Sequence, residues 1–282
     1  MTESGQEMRG IQSEQEPKLP VVEYAVGRNL TIAAVPIEHQ STFHPERYER
    51  QLHEAVGKSD GVILEYFPPE LAEVAQNPIA RISTNYKDFI KFFSSVEGMA
   101  FGRKKPVYAL DPAHDSRFAV IRLIPYALAI SGMGSMVGAP FLLHKNRYIA
   151  GACFAAGFLT WLPGAAMMSI KNAEFRWNKN FGLPIHTEST LRRAIVARGL
   201  RQMGRALDAD PDAKPKKLLL IYPPGHWQGI KKYLDDDKLL AKDFRFYANL
   251  KKLGKDYAKS WFTIRRYDPA GGGWSAREEE IR

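Results

Sequence analysis

Residues 31–71, TIAAVPIEHQSTFHPERYERQLHEAVGKSDGVILEYFPPEL, decide the fold class of this chain. The segment begins with a β-prone run that leads into a loop containing His39, and Pro45 marks a helix start. A helix is predicted next, because Leu52 and Val56 recur at helical spacing. The nearly continuous apolar run GVILEYF is then typical of a strand buried on both faces. Strand, helix and strand in this order predict an α/β unit.

The segments around this unit extend the same pattern. VVEYAVGRNLTIAAVP, residues 21–36, predicts a β-hairpin, and residues 86–99 predict a helix before the strand PVYALD. TESTLRRAIVARGLRQMGRALDA, residues 187–209, predicts a long basic amphipathic helix with cap residues at its start. The strand KLLLIYP then leads into His226 and a further helix. We therefore expect an α/β fold with a mixed central sheet from two related halves and flanking helices, interrupted by an apolar helical hairpin.

Five parts are expected along the chain. Residues 1–19 are polar, lack the apolar run of a signal peptide and predict a disordered tail. Residues 20–117 form the first half of the α/β domain, and residues 118–170 form the apolar hairpin. Residues 171–268 form the second half, and residues 269–282 are predicted to be a flexible tail.

The apolar hairpin is the unusual part of the sequence. Residues 123–143 and 149–170 contain no charged residue, and each is about long enough to cross the ~30 Å hydrocarbon core of a bilayer as a helix. Small residues at Gly134 and Gly138, and at Gly151 and Ala155, would let the two helices approach closely. The alternative is an interfacial pair, or a buried pair in a soluble protein.

Basic residues flank this hairpin and predict its orientation. The flanks carry more Lys and Arg than the turn, which has only Lys145 and Arg147; the flanking residues are Arg103, Lys104, Lys105, Arg117, Arg122, Lys171, Arg176 and Lys179. Because positive residues favour the cytoplasmic side, we expect a membrane protein whose α/β domain faces the cytoplasm.

Composition narrows the function classes. The chain has 282 residues, 45% hydrophobic content and a formal charge of +9. No P-loop, zinc-finger spacing or basic-aromatic motif accompanies the charge, so no nucleic-acid partner is expected. The single cysteine, Cys153, cannot form an intrachain disulfide, and it lies in the apolar hairpin, where a reactive thiolate is disfavoured. A serine nucleophile in a GxSxG motif is absent as well.

Six segments in order resemble a known family. A strand entering a His-containing loop (AAVPIEH), an amphipathic helix, a buried strand ending in Glu (VILEYF), a strand VYALDP, an Arg-rich helix (IVARGLRQMGRAL) and LLLIYPPGHWQGIKKYL follow one another. Together they resemble the TraB/TIKI superfamily, which is related to the erythromycin esterase-like and ChaN-like folds. The resemblance covers roughly residues 21–111 and 185–268.

The resemblance implies a site and an activity. In that family two Gly-x-x-His motifs, a Glu after the first buried strand and an Arg on the late helix form a site proposed to be metal-dependent and peptidase-like. The matching residues here are His39, Glu65, Arg198 and His226. The implied function is a membrane-associated hydrolase of a peptide or amide. Two imidazoles and a carboxylate would hold a divalent ion such as Mn, Co or Zn, and Arg198 would orient the substrate.

Two departures from the family motifs leave an alternative open. Pro36 and Pro223 stand where the family motifs have glycine, and proline cannot adopt positive φ. If those glycines are needed for close backbone approach, the scaffold persists without the reaction. The chain would then be a non-catalytic membrane-associated protein that binds or sequesters a small peptide signal.

Other residues near the predicted site have structural explanations. Glu65 follows an apolar run, so a buried ion pair with Arg198 would explain both residues without catalysis. Arg201 lies one turn further on and competes with Arg198 for that role. Asp111 and His114 follow the strand VYALD and are further candidates to line the same cleft.

Overall fold

The protein is a mixed α/β structure built on one seven-stranded sheet. The computed structural model describes residues 18–37, 48–65, 67, 86–112, 118–144, 146–173, 188–253 and 262–282. The predicted fold class is confirmed. Of the predicted N-terminal tail, residues 1–17 lie outside the described part, whereas Leu19 is buried and its backbone N–H donates to the side chain of Gln51.

Seven strands and seven helices are described. The strands are β1 (Val22–Ala25), β2 (Leu30–Pro36), β3 (Gly61–Leu64), β4 (Val107–Ala109), β5 (Lys216–Tyr222), β6 (Thr263–Ala270) and β7 (Gly273–Glu280). The helices are α1 (Glu49–Lys58), α2 (Tyr86–Gly102), α3 (Phe118–Leu142), α4 (Arg147–Ala173), α5 (Glu188–Ala209), α6 (Pro224–Asp235) and α7 (Asp237–Leu253).

The strands lie in the order β1-β2-β5-β3-β4-β6-β7. The four central strands, β2, β5, β3 and β4, are mutually parallel, and β1, β6 and β7 are antiparallel additions at the edges. Strand β5, which comes from the second half of the chain, lies between β2 and β3 of the first half. The two halves therefore share one sheet, and neither can complete it alone.

A hydrophobic core covers each face of the sheet. Helices α1 and α2 pack on one face through residues such as Leu52, Val56 and Phe93. Helices α5, α6 and α7 pack on the other face through residues such as Ile195 and Trp227. Because both faces are covered, the central strands are apolar on both sides, as their unbroken hydrophobic runs predict.

Helix α5 also fixes the turn between β1 and β2. The carboxylate of Asp208 accepts the backbone N–H groups of Arg28 at 3.0 Å and Asn29 at 2.8 Å. These hydrogen bonds to the charged form lower the pKa of Asp208. The predicted hairpin over residues 21–36 is thereby confirmed, and its turn is tied to a helix almost 180 residues away in sequence.

The prediction of a flexible tail over residues 269–282 is wrong. Strands β6 and β7 form an antiparallel hairpin on the edge of the sheet, and a two-residue turn with positive φ at Gly271 and Gly272 joins them. Trp274 packs against Phe67 and Phe101, and its indole N–H donates to Glu97 at 2.7 Å. The charged sequence of β7 suggests disorder, but pairing with β6 and the aromatic contacts of Trp274 stabilise the strand.

Helices α3 and α4 form the predicted apolar hairpin. Their backbones come into close contact at Gly132 and Gly157: a Cβ atom at Gly132 would lie 2.4 Å from the backbone nitrogen of Trp161, and one at Gly157 would lie 2.8 Å from the carbonyl oxygen of Gly132. Gly134, Gly138 and Gly151 face open space instead. The prediction that they form the helix contact is wrong, because the helix rotation places other glycines at the crossing.

The outward surface of this hairpin is apolar and uncovered. Among the hairpin residues whose burial is described, 127–144 and 146–165, none belongs to either hydrophobic core of the α/β domain, and the two helices pack most extensively on each other. Many large apolar side chains are exposed, namely Ile130, Met133, Val137, Phe141, Leu143, Tyr148, Ile149, Phe154, Phe158, Leu159 and Leu162. Among the described helices, one segment, Arg147–Ala165, is long and apolar enough to span a membrane; the apolar segment of α3, Ala127–Leu142, is shorter.

Candidate functional site

The four parallel strands end at one edge of the sheet, which we call the carboxyl edge. In the strand register Pro36 pairs with Tyr222, and Leu64 pairs with both Ile221 and Ala109. The residues that follow β2, β5, β3 and β4 therefore emerge side by side. Ligand sites in open parallel sheets lie at such an edge.

Three buried side chains meet at the carboxyl edge. Glu65 follows β3, Asp111 lies two residues beyond β4, and Arg192 lies near the start of α5. The guanidinium of Arg192 donates from Nε to Asp111 Oδ1 at 2.7 Å and from Nη2 to Asp111 Oδ2 at 2.9 Å; the same Nη2 donates to Glu65 Oε1. We call Glu65, Asp111 and Arg192 the carboxylate–arginine cluster.

Strand alternation and helix periodicity create this cluster. Successive side chains of a strand point to opposite faces, so Glu65 lies on the same face as Ile63, which packs in the core beneath α5. Arg192 precedes Ile195 and Val196 by three and four positions and therefore shares their buried stripe of α5. A cation on the apolar stripe of a helix is brought directly over the carboxylates at the strand ends.

Burial makes the three charges interdependent. The side chains of Arg192, Glu65 and Asp111 are 6%, 3% and 1% exposed. Charges removed from water at this level are costly unless they are paired and hydrogen-bonded. The planar guanidinium meets this need by binding Asp111 with two parallel hydrogen bonds while it also binds Glu65. The cluster thus fixes the geometry of three elements at the carboxyl edge.

The structure corrects the predicted partner of Glu65. A buried ion pair with an arginine is present, but the arginine is Arg192 and not Arg198. Arg198 lies on another face of α5, where its Nε donates to the carbonyl oxygen of Arg282 at 2.5 Å and its guanidinium stacks over Phe244. Helical spacing explains the difference, since six residues separate the two arginines and place them on different sides of α5.

Arg201 lies still further from the carboxyl edge. Its guanidinium donates to the carbonyl oxygens of Val26 and Leu234 and pairs with Asp237 at 3.2 Å. These contacts join the β1–β2 turn to helices α6 and α7. Neither Arg198 nor Arg201 is brought together with Glu65.

His226 lies in the first turn of α6, which begins at Pro224 immediately after β5. The helix therefore starts earlier than the sequence pattern predicts, because proline is well accommodated at the first position of a helix. The imidazole is partly exposed. His39 and His114 lie outside the described residues. Since Ile37 donates its backbone N–H to Tyr222 O at 3.1 Å, the chain enters the predicted His39 loop beside the start of α6.

The expected metal site is not formed by the described residues. Within this part of the chain, no three His, Cys, Asp or Glu side chains are grouped so that they could hold a metal ion. Glu65, the expected carboxylate ligand, is bound to a guanidinium, and a positive charge at that position opposes a second cation. Because His39 lies outside the described residues, the expected set of His39, Glu65 and His226 stays a prediction, and we assign no chemical step to a metal ion.

An open groove of about 500 Å³ lies on the outer side of α5. It is lined by Arg198, Gln202, Arg205, Ala206, Glu279 and Arg282. Burial and the neighbouring charge of Arg205 lower the pKa of Arg198. The groove lies between α5 and β7 and is separate from the carboxylate–arginine cluster, so Arg198 belongs to a different surface from the one predicted.

Arg192 is the site residue that sequence reasoning missed. A signal for it is present in the sequence. Arg192 is spaced at helical intervals from the buried residues Ile195, Val196, Gly199 and Leu200, so it is a charged residue on the apolar stripe of α5.

Comparisons of the chain with protein-family models, with curated proteins and with solved structures find no match. The TraB/TIKI resemblance therefore rests on the sequence pattern alone and stays a prediction.

Proposed function

We propose that this chain is a membrane-associated protein in which the α3–α4 hairpin inserts into a bilayer and holds the α/β domain at the cytoplasmic surface. One observation carries the proposal: the hairpin exposes a continuous set of large apolar side chains that neither core of the domain covers. Water-exposed apolar surface of this extent marks an interaction site.

The dimensions of the hairpin match a bilayer. Helices α3 and α4 contain 25 and 27 residues, which at 1.5 Å per residue gives about 38–40 Å, enough for the ~30 Å hydrocarbon core and part of both interfaces. Both ends of the hairpin are connected to the same domain, so the entire α/β domain lies on one side. The excess of Lys and Arg near the base over the turn favours the cytoplasmic side.

The test is membrane partition of a hairpin variant. Met133 and Leu159 lie near the middle of their helices and are exposed. The double variant Met133→Asp/Leu159→Asp should move the protein from the membrane fraction to the soluble fraction, because each carboxylate costs about 2.5–3.5 kcal/mol at the centre of a membrane helix. Co-flotation with phosphatidylcholine vesicles measures this shift.

The matched control keeps both positions apolar. Met133→Leu/Leu159→Met should float with the vesicles as the unmodified chain does. If the unmodified chain stays in solution without detergent and does not float, the proposal is wrong, and the hairpin must be covered by another protein surface.

A second candidate function is hydrolysis of a peptide or amide at the carboxyl edge, as the TraB/TIKI resemblance implies. The observation that favours it is the convergence of four parallel strand ends beside the buried carboxylate–arginine cluster. If the family site is present, its arginine is Arg192 in place of Arg198. The non-catalytic alternative uses the same edge to bind a small peptide.

Amide hydrolysis by the purified protein tests this candidate. Activity should appear on a peptide library with or without added Mn²⁺, Co²⁺ or Zn²⁺, and it should disappear in His226→Ala. The control is His53→Ala, which changes a histidine on α1 away from the carboxyl edge. Peptide binding without turnover, retained in His39→Ala and His226→Ala, would instead favour the non-catalytic alternative.

A further inference from the structure

Both connections of the α3–α4 hairpin leave the α/β domain at the carboxyl edge. On the outward path, Asp111 of the carboxylate–arginine cluster is followed by Pro112, and α3 begins at Phe118. On the return path, α5 begins at Glu188, and its Arg192 contacts the same cluster. The domain is therefore attached to its hairpin on the side where the cluster lies.

The connection from β4 to α3 is short and limits the distance between the α/β domain and the hairpin. Six residue steps separate Pro112 from Phe118, so the hairpin begins within about 20 Å of the end of the β4 connection. The opposite edge of the sheet, which we call the amino edge, lies one strand length away. Strand β5 has seven residues, which corresponds to about 23 Å.

Helix α5 links the two edges of the sheet. Its first turns contact the cluster at the carboxyl edge, and its last turn, through Asp208, binds the β1–β2 turn at the amino edge. The helix therefore runs from the carboxyl edge to the amino edge.

We infer that the carboxyl edge is the surface of the α/β domain that faces the phospholipid bilayer, so that the carboxylate–arginine cluster lies next to the lipid headgroups. The inference rests on the proposed insertion of the hairpin and adds the orientation of the domain. A ligand of the cluster would then approach along the membrane surface.

The competing orientation has the amino edge on the membrane. That edge carries the exposed lysines Lys104 and Lys214, which anionic lipids would attract. The two orientations place opposite edges of the sheet at the headgroups, so a probe at each edge distinguishes them.

Two glycines provide matched probe positions. Gly225 in the first turn of α6 lies at the carboxyl edge, and Gly273 at the start of β7 lies at the amino edge. Both are exposed, and a Cβ atom at either would meet no atom within 4 Å. In a Cys153→Ala background, Gly225→Cys and Gly273→Cys each carry one environment-sensitive fluorophore. The full chain is reconstituted in phosphatidylcholine vesicles containing some phosphatidylglycerol and headgroup spin-labelled lipid.

The expected result is strong quenching of the Gly225→Cys probe and little quenching of the Gly273→Cys probe, because contact quenching does not extend over a strand length. Equal quenching, or stronger quenching at Gly273→Cys, overturns the inference while vesicle flotation still supports insertion of the hairpin. If the chain does not float and neither probe is quenched, the inference and the proposed insertion fail together.

Discussion

Arg192 is the residue on which the carboxyl edge depends, because a single guanidinium compensates two buried carboxylates. Removing it takes the guanidinium partner from Glu65 and Asp111 in a site with little access to water. The loss is costly because both carboxyl groups are buried next to strands in the centre of the sheet.

We therefore expect Arg192→Met to lower the free energy of unfolding by about 3–5 kcal/mol, measured by urea denaturation. The matched control, Arg198→Met, removes a partly exposed arginine from the same helix and should cost about 1 kcal/mol or less. Combining Arg192→Met with Glu65→Leu and Asp111→Asn should restore part of the loss. Similar costs for Arg192→Met and Arg198→Met would contradict the assignment.

Asp208 contributes to the decrease in the protein's stability at acid pH. Its folded-state pKa is depressed by the backbone N–H groups of Arg28 and Asn29. A carboxylate of this kind contributes stability above its unfolded pKa of about 3.9, and the contribution is lost as pH falls through the lower folded value.

The prediction is that Asp208→Asn destabilises the protein at neutral pH. Below about pH 4, the variant should lose less stability with falling pH than the unmodified chain does. Urea midpoints measured across this pH range in a detergent-solubilised sample report the change. Asp212→Asn, which alters an exposed aspartate outside the β1–β2 turn, serves as the comparison. Its stability should decrease at acid pH as that of the unmodified chain does. If Asp208→Asn loses stability at acid pH as the unmodified chain does, the turn does not depend on this carboxylate.

At the scale of elements, glycines at one crossing allow the two helices of the hairpin to pack closely, because they have no side chains to separate the backbones. Gly132 and Gly157 bring the two backbones into contact, and packed helices separate when larger side chains enter such a contact. The hairpin contact is therefore specific, although most of its sequence is interchangeable apolar residues.

Replacing Gly132 with Leu should push the helices apart by about 2 Å, the difference between close and wide helix packing. Spin labels at the exposed positions Val137 and Phe154, in a Cys153→Ala background, measure the interhelical distance. Gly134→Leu adds the same side chain where it meets open space and should leave the distance unchanged. Equal effects of the two substitutions would place the crossing elsewhere.

At the scale of the whole molecule, the α/β domain and the hairpin have separate sources of stability. Neither core of the domain includes any of the hairpin residues whose burial is described, 127–144 and 146–165. The domain gains its stability from the interleaved sheet and its two helical layers, whereas the hairpin packs on itself and exposes its remaining apolar surface.

Replacing residues 118–173 with a flexible Gly-Ser linker should therefore leave a domain that unfolds cooperatively and remains soluble without detergent. The measurements are thermal unfolding by circular dichroism and size-exclusion chromatography. The control is a chain in which only the turn residues 144–146 are replaced by Gly-Ser, which should still need detergent. Loss of cooperative unfolding after removal of the hairpin would mean that the domain needs the hairpin to fold.

The sequence by itself determined the fold class and most element positions. Periodicity predicted β2, α1, β3 and α5, because each has a continuous apolar stripe or run that must be buried. It also predicted the hairpin from two uncharged segments. The strand β7 was missed because its charges and the run Gly271–Gly273 suggest disorder.

Only the tertiary structure decided which residues meet. The insertion of β5 between β2 and β3, the choice of Arg192 over Arg198, and the crossing at Gly132 depend on sheet order and helix rotation. These are properties of packed surfaces from distant parts of the chain. Local sequence patterns report which face of an element is buried, whereas the partner of that face depends on how all the elements fill the space together.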